Sequence, residues 1–235
     1  MNPPELVFDA ATIAADGRIL LGPISLRIDR PGITVVMGPN GAGKSLFLSA
    51  AHGLLVPDQG SITWNGQPAS KTRASRGFVF QATPILRRSV RGNIALPLIA
   101  RGVSRARAAD RIAAALAEAR LDTDPAKPAA ALSGGERKRL DLARAIVTRP
   151  DVILLDEPSA NLDPATTAEL EQSLRHISEG GTKILISTHD IAQARRLAAE
   201  ILFFSEGRLL EQADTASFFH QPASNAAQRF LDGER

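Results

Sequence analysis

Eight consecutive residues, Gly38-Pro39-Asn40-Gly41-Ala42-Gly43-Lys44-Ser45, set glycine, lysine and serine at the spacing G-x-x-x-x-G-K-S. Residues of these types in this order suit phosphate chemistry. Glycine lets the backbone curl until several N–H groups converge on one anion, Lys44 can reach the terminal phosphate oxygens, and the Ser45 hydroxyl can hold Mg²⁺. The loop therefore predicts nucleotide binding. Two carboxylates, Asp156 and Glu157, follow the apolar run Val152-Ile153-Leu154-Leu155. Open α/β sheets present ligand groups at such strand ends, and a metal ion with an attacking water suits the pair. His189 stands just beyond a second run of this kind, Lys183-Ile184-Leu185-Ile186-Ser187.

Periodicity supplies the elements that must hold these groups. Ile33-Thr34-Val35-Val36-Met37 has the continuous burial of a central strand, and an apolar helix from Ser45 to Ala51, closed by Gly53, should follow the loop. The helix N-terminus would add about half a positive charge behind the phosphate site. Ser133-Gly134-Gly135-Glu136 has the form of a capping box ahead of a helix with Leu140, Ala143, Ile146 and Val147 on one face. Asp163 can cap another helix, with Pro164 at its first position. Ile24, Leu26 and Ile28 alternate with polar residues, and Ser61-Ile62-Thr63-Trp64 leads into an Asn65-Gly66 turn, which together predict a small antiparallel sheet. Phe78-Val79-Phe80 reads as one more strand ending at Gln81. Beyond it lies an alanine- and arginine-rich stretch that Pro84, Pro97, Pro125 and Pro128 should divide into short helices. The chain should close with short amphipathic pieces after a strand over residues 201–204.

The expected fold is α/β: a P-loop core with a mixed, mainly parallel sheet, an N-terminal antiparallel β subdomain and an inserted helical subdomain. Residues 1–83 and 132–235 would form the RecA-like core with its β subdomain, and residues 84–131 the helical part, in a single domain. A length of 235 residues with 44% hydrophobic content supports a proper core. Cysteine is absent, which removes disulfides and thiolate metal sites and is compatible with a reducing cytosol. The first nine residues lack the pattern of a signal peptide, and no apolar run reaches the ~20 residues of a membrane span. With 28 basic and 25 acidic residues the charge is nearly balanced, so no nucleic-acid partner is expected. Arg87, Arg88, Arg91, Arg101, Arg105, Arg107 and Arg111 fit a solvated helical face, with proximity to lipid headgroups or an acidic partner as the alternative. His52, His176 and His220 lack metal-ligand spacing and read as structural.

Taken in order, residues 38–45, Gln81, Leu132-Ser133-Gly134-Gly135-Glu136, Asp156-Glu157, Ser159-Ala160-Asn161-Leu162-Asp163 and His189 resemble an ATP-binding cassette (ABC) ATPase over nearly the whole chain. The resemblance implies ATP and Mg²⁺ as cofactors. Residues 38–45 and Leu46 would bind nucleotide; Ser45, Gln81 and Asp156 would hold the metal; Glu157 would be the general base. It further implies that Lys44 and His189 contact the γ-phosphate and that Gln81 links it to the helical subdomain. Ser133, Gly134, Gly135 and Glu136 would close the site of a second copy, with Asp163 communicating between sites in an ATP-bound homodimer. Glu136 stands where the family more often has glutamine, and activity should survive this.

Gly41-Ala42-Gly43-Lys44-Ser45-Leu46, His52-Gly53-Leu54-Leu55, Gly181-Thr182-Lys183-Ile184 and the stretch beginning His189-Asp190-Ile191 look similar to the ATPase subunit of bacterial tungstate-type oxyanion importers. That similarity implies a peripheral protein on the cytoplasmic face of the inner membrane. Its partners would be an integral membrane permease and, indirectly, an external solute-binding protein. Phosphate, amino-acid and metal importers, envelope exporters, and soluble ABC ATPases acting on ribosomes or DNA are the alternatives. One departure stands out. The family usually stacks an aromatic ring on adenine, yet the chain has no tyrosine and places Ala15 or a neighbour at that position, leaving Phe8 as the nearby ring that could substitute.

Overall fold

The computed structural model describes residues 3–233. It begins with a hairpin, β1 (Leu6–Ala15) and β2 (Arg18–Ile28), paired antiparallel. A short link leads to β3 (Ile33–Met37), the phosphate loop and α1 (Lys44–His52), which Gly53 closes in the left-handed conformation. The strands β4 (Gln59–Trp64) and β5 (Gln67–Pro68) then complete the order β2-β1-β4-β5 of a four-stranded antiparallel sheet. After β6 (Arg76–Val79) come α2 (Val90–Ala100), α3 (Arg105–Glu118) and α4 (Gly134–Ile146).

The remaining elements alternate: β7 (Val152–Asp156), α5 (Pro164–Glu179), β8 (Lys183–Ser187), α6 (Ile191–Leu197) and β9 (Glu200–Ser205). They are followed by β10 (Arg208–Asp214), α7 (Thr215–His220) and α8 (Asn225–Leu231). The second sheet has the order β10-β9-β3-β8-β7-β6; β10 runs antiparallel to β9 and the other pairs are parallel. No helix among the described residues is long and apolar enough to cross a membrane.

The apolar runs are continuous because both faces of this sheet are covered. Ile153, Leu155, Ile184, Ile186, Ile201 and Phe203 face a core shared with α2 to α5. Val36, Leu154, Leu185, Leu202 and Phe204 face a second core shared with α1 and the antiparallel sheet. Alternate residues of each strand thus anchor two layers, with the strand ends between them.

Three expectations change. Pro97 lies inside α2 and does not end it. A proline there forgoes the hydrogen bond back to Asn93 and crowds that carbonyl, and packing of Val90, Ile94 and Leu98 at full burial holds the helix through the fault. The closing pieces include a strand, β10, whose edge position leaves little apolar signal. Phe8 is 2% exposed and stacks on Phe47 with ring centroids 4.9 Å apart. A ring held in the core cannot serve as a surface for adenine, which removes Phe8 from that role.

Candidate active site at the sheet edge

The order β3-β8-β7-β6 places four loops side by side along the C-terminal edge of the parallel strands: residues 38–43, 188–190, 157–163 and the segment after β6 that begins with Phe80 and Gln81. Gly38 opens the phosphate loop at φ 145°, pressed against β9, where a Cβ would collide with the Phe204 carbonyl. Gly43 closes it at φ 99° as the cap residue of α1, and no side chain caps this helix. First-turn N–H groups that lack an intrahelical partner suit an anion at this point. Loop residues Pro39, Asn40 and Gly41 are exposed, as is Ser45, while Ala42 is buried and its carbonyl accepts from Gly207 N–H at 3.1 Å. Leu46 is half-buried and packs on the second core, so its part in the loop is to anchor α1.

Lys44 is buried, and its Nζ donates to the Gly38 carbonyl at 2.9 Å and the Pro39 carbonyl at 3.0 Å. The same nitrogen lies 3.5 Å from Glu157 Oε1, and His189 Nδ1 lies 3.3 Å from that oxygen. A carboxylate is thereby held between a lysine and an imidazole. Glu157 adopts φ 43°, a left-handed conformation uncommon away from glycine. Its N–H donates to Ser187 Oγ at 2.9 Å, and the Ser187 hydroxyl donates to Asp156 Oδ1 at 2.6 Å. Ser187 thus ties the two carboxylate-bearing residues to the neighbouring strand. It escaped sequence reasoning as a site residue; its only signal was a hydroxyl ending an otherwise apolar strand.

Asp156 and Ser45 are oxygen donors of the kind Mg²⁺ takes. Among the described residues no group of three or more His, Cys, Asp or Glu could hold a metal alone.

Other expected residues lie apart from this cluster. The Gln81 carbonyl accepts from Lys138 Nζ at 2.6 Å, and Gln81 lines a cavity of about 610 Å³ together with Gly134, Lys138 and Asn161. Ser133 caps α4 in a complete capping box: Ser133 N–H donates to Glu136 Oε2 at 2.7 Å and Glu136 N–H to Ser133 Oγ at 3.3 Å. The backbone hydrogen bond from Ser133 holds the Glu136 carboxyl below the usual range. Asp163 caps α5 through Ala165 N–H and Thr166 N–H, both at 3.0 Å, and its pKa is lowered chiefly by the Thr166 hydroxyl. Among the described residues no hydrogen bond or ion pair joins residues 133–136 to Lys44, Glu157 or His189. Ala15 is exposed beside the β1–β2 turn.

A phosphate loop between a buried strand and a helix, with an acidic strand end two strands away, is the arrangement of a P-loop nucleotide-binding domain. The chain belongs to the ABC transporter family, whose model matches residues 21–160, and corresponds to the family's ATP-binding domain. It is 35% identical over 239 residues to the Fe(3+) ions import ATP-binding protein FbpC of Streptomyces coelicolor, covering 100% of this chain and 69% of that protein. It is 35% identical over 227 residues to the phosphate import ATP-binding protein PstB of Mycoplasmoides gallisepticum, covering 89% of this chain and 70% of that one. Among solved structures, cbiO1 from Clostridium perfringens, part of the ABC transporter complex cbiONQ, superposes with a TM-score of 0.84 at 29% identity, covering 92% of this chain and 90% of that chain.

Proposed function

We propose that this protein is the ATP-hydrolysing subunit of an ABC importer, working as a homodimer around two Mg-ATP on the cytoplasmic face of the inner membrane. The observation that carries its hydrolytic part is the Glu157 carboxylate set between Lys44 and His189 at the mouth of the phosphate loop, and the import ATP-binding proteins among the relatives support its importer part. In that position Glu157 can take a proton from an attacking water while Lys44 and the N–H groups of α1 balance charge on the transferred phosphoryl group. When bound, Mg²⁺ supplies further charge neutralisation, and Ser45, Asp156 and Gln81 are the groups assigned to it. His189 orients toward the same phosphate. Ser133, Gly134, Gly135 and Glu136 are assigned to a second copy's site on the strength of the ABC resemblance.

The cargo we assign is a small oxyanion such as tungstate, and the phosphate importer among the relatives supports that chemical class. Accumulating a divalent anion about 10³-fold costs about 4 kcal/mol, and ~100 mV of opposing potential adds about 2.3 kcal/mol per charge. A demand of roughly 9 kcal/mol suits ATP. A multi-span permease would dock in the groove between Gln81 and α2, with an external binding protein selecting the anion.

Two experiments test this. Glu157→Gln should retain ATP binding while hydrolysis falls about 10²–10³-fold; turnover near that of the parent removes Glu157 from the base role. Deleting the gene should abolish uptake of labelled tungstate at low concentration. Loss of phosphate or Fe³⁺ uptake instead would replace the cargo, and unchanged uptake of tungstate under conditions that express the system would defeat the oxyanion assignment.

A further inference from the structure

Beneath the loops that carry Glu157 and His189 lies a buried polar chain that the hydrolytic reading does not use. Gln193 on α6 is 1% exposed and Glu171 on α5 is 3% exposed. Ser159 Oγ donates to Gln193 Oε1 at 3.1 Å, and Gln193 Nε2 donates to Glu171 Oε1 at 3.4 Å. Arg196 clamps the far end, with Nε on Glu171 Oε2 at 2.9 Å and Nη2 on Oε1 at 2.6 Å, and Arg175 approaches to 3.8 Å. The direction of the chain is forced. Glu171 can only accept, so the amide must turn its NH₂ toward Glu171 and its oxygen toward the Ser159 hydroxyl.

The chain spans the elements that matter. Ser159 belongs to residues 157–163, which end at Asp163, the cap of α5. Gln193 sits four residues past His189, in the first turn of α6, and its N–H is capped by Asp190 at 3.0 Å. Apart from the Glu157–His189 contact itself, the Ser159–Gln193 bond is the one hydrogen bond among the described residues that joins residues 157–163 to residues 188–197. A cavity of about 680 Å³, lined by Glu157, Ser159, His189, Glu171 and Arg196, lies between the two segments. Below that opening the strand pairing and the Ser187 tie hold the two segments at their roots, and the buried chain is the link between them further out.

We propose that Ser159, Gln193 and Glu171 form a positioning relay that holds His189 in register with Glu157 and carries a displacement of the 157–163 segment to His189. None of the three touches the reacting atoms; they act through the two loops. The relay rests on the nucleotide-site reading only for its effect on turnover. Its mechanical part stands on the hydrogen bonds alone.

Gln193→Glu tests it at nearly constant shape, since the new carboxylate faces Glu171 and the like charges repel. Amide hydrogen exchange in residues 157–163 and 188–190 should quicken about tenfold without added nucleotide. For ATP hydrolysis, kcat should fall about tenfold with KM within about twofold, as expected for a misplaced group rather than lost binding. The double variant Gln193→Glu with Glu171→Gln restores a donor opposite an acceptor and should return both readouts to within about threefold of the parent. Should Gln193→Glu fail to fold, Ser159→Ala cuts the chain at its half-buried end and should quicken exchange in the same two segments. Parent-like exchange in the single variants, or a double variant as perturbed as Gln193→Glu, overturns the relay. A parent protein without ATPase activity would overturn the proposed function and leave the exchange result to decide the relay.

Discussion

His52 shows how one buried side chain sets a pH dependence. Its Nδ1 has no hydrogen-bond partner, and desolvation, with the charge of Arg76 second, pushes its pKa down to about 4 from the usual 6.5. The native state keeps this imidazole neutral. Above pH 6.5 both states are neutral and the full contribution to stability is present; as pH falls from 6.5 through 4 the unfolded chain takes up a proton first and stability is lost. Asp141 works in the opposite sense, because burial raises its pKa to about 6 and the native state gains from protonation as pH drops below that value. The two effects overlap, so the comparison must isolate one of them. The difference in urea midpoint between the parent and His52→Gln should shift against the parent between pH 6.5 and 4. A difference constant across that range would mean that His52 does not titrate as its burial demands.

At the scale of elements, the capping box of α4 joins a structural role to a functional one. Losing a serine cap costs about 0.5–2 kcal/mol. Ser133→Ala should therefore lower the unfolding free energy by about 1 kcal/mol, while ATP turnover falls by more than that loss of folded protein explains. Turnover that merely tracks stability would confine Ser133 to capping. Here the sequence was legible, because serine followed three residues later by glutamate is a local pattern with a local cause. The same holds for β3, β7 and β8, whose unbroken apolar runs reflect burial on two faces. Pro97 and β10 were illegible for the complementary reason: tertiary packing holds a proline inside α2, and an edge strand needs no apolar stripe. Phe8 misled because distance along the chain says nothing about which face of β1 a ring occupies. The grouping of Lys44, Glu157 and His189 required the strand order β3-β8-β7, which no local pattern contains.

The whole molecule raises two expectations. If residues 133–136 complete the site of a second copy, hydrolysis per subunit should rise with protein concentration as dimers form, and the dimer readout is sedimentation in the presence of ATP with the Glu157→Gln variant. A monomer that hydrolyses at a concentration-independent rate would refute the two-copy site. The second concerns the base. With Phe8 in the core and Ala15 exposed beside the β1–β2 turn, neither offers a ring to adenine, and phosphate contacts, which do not read the base, are expected to carry the affinity. GTP should therefore compete with ATP to within about tenfold, and Ala15→Tyr should tighten ATP by the ~1–3 kcal/mol of an aromatic stack. A hundredfold preference for ATP in the parent protein would show that another group recognises adenine.

The strand that launches the phosphate loop has a further consequence, for biosynthesis. Both neighbours of β3 lie far downstream: Val35 pairs with Ile186 on one side and Ile201 on the other. A ribosome releases residues 33–45 long before either partner exists, and pairings of such sequence separation form slowly. Until then an apolar strand whose five residues are all buried in the finished protein stays uncovered and open to chaperones or to aggregation. The earliest motif in the chain is thus among the last to become a site, and competence to bind nucleotide should arrive only when β8 and β9 have left the exit tunnel.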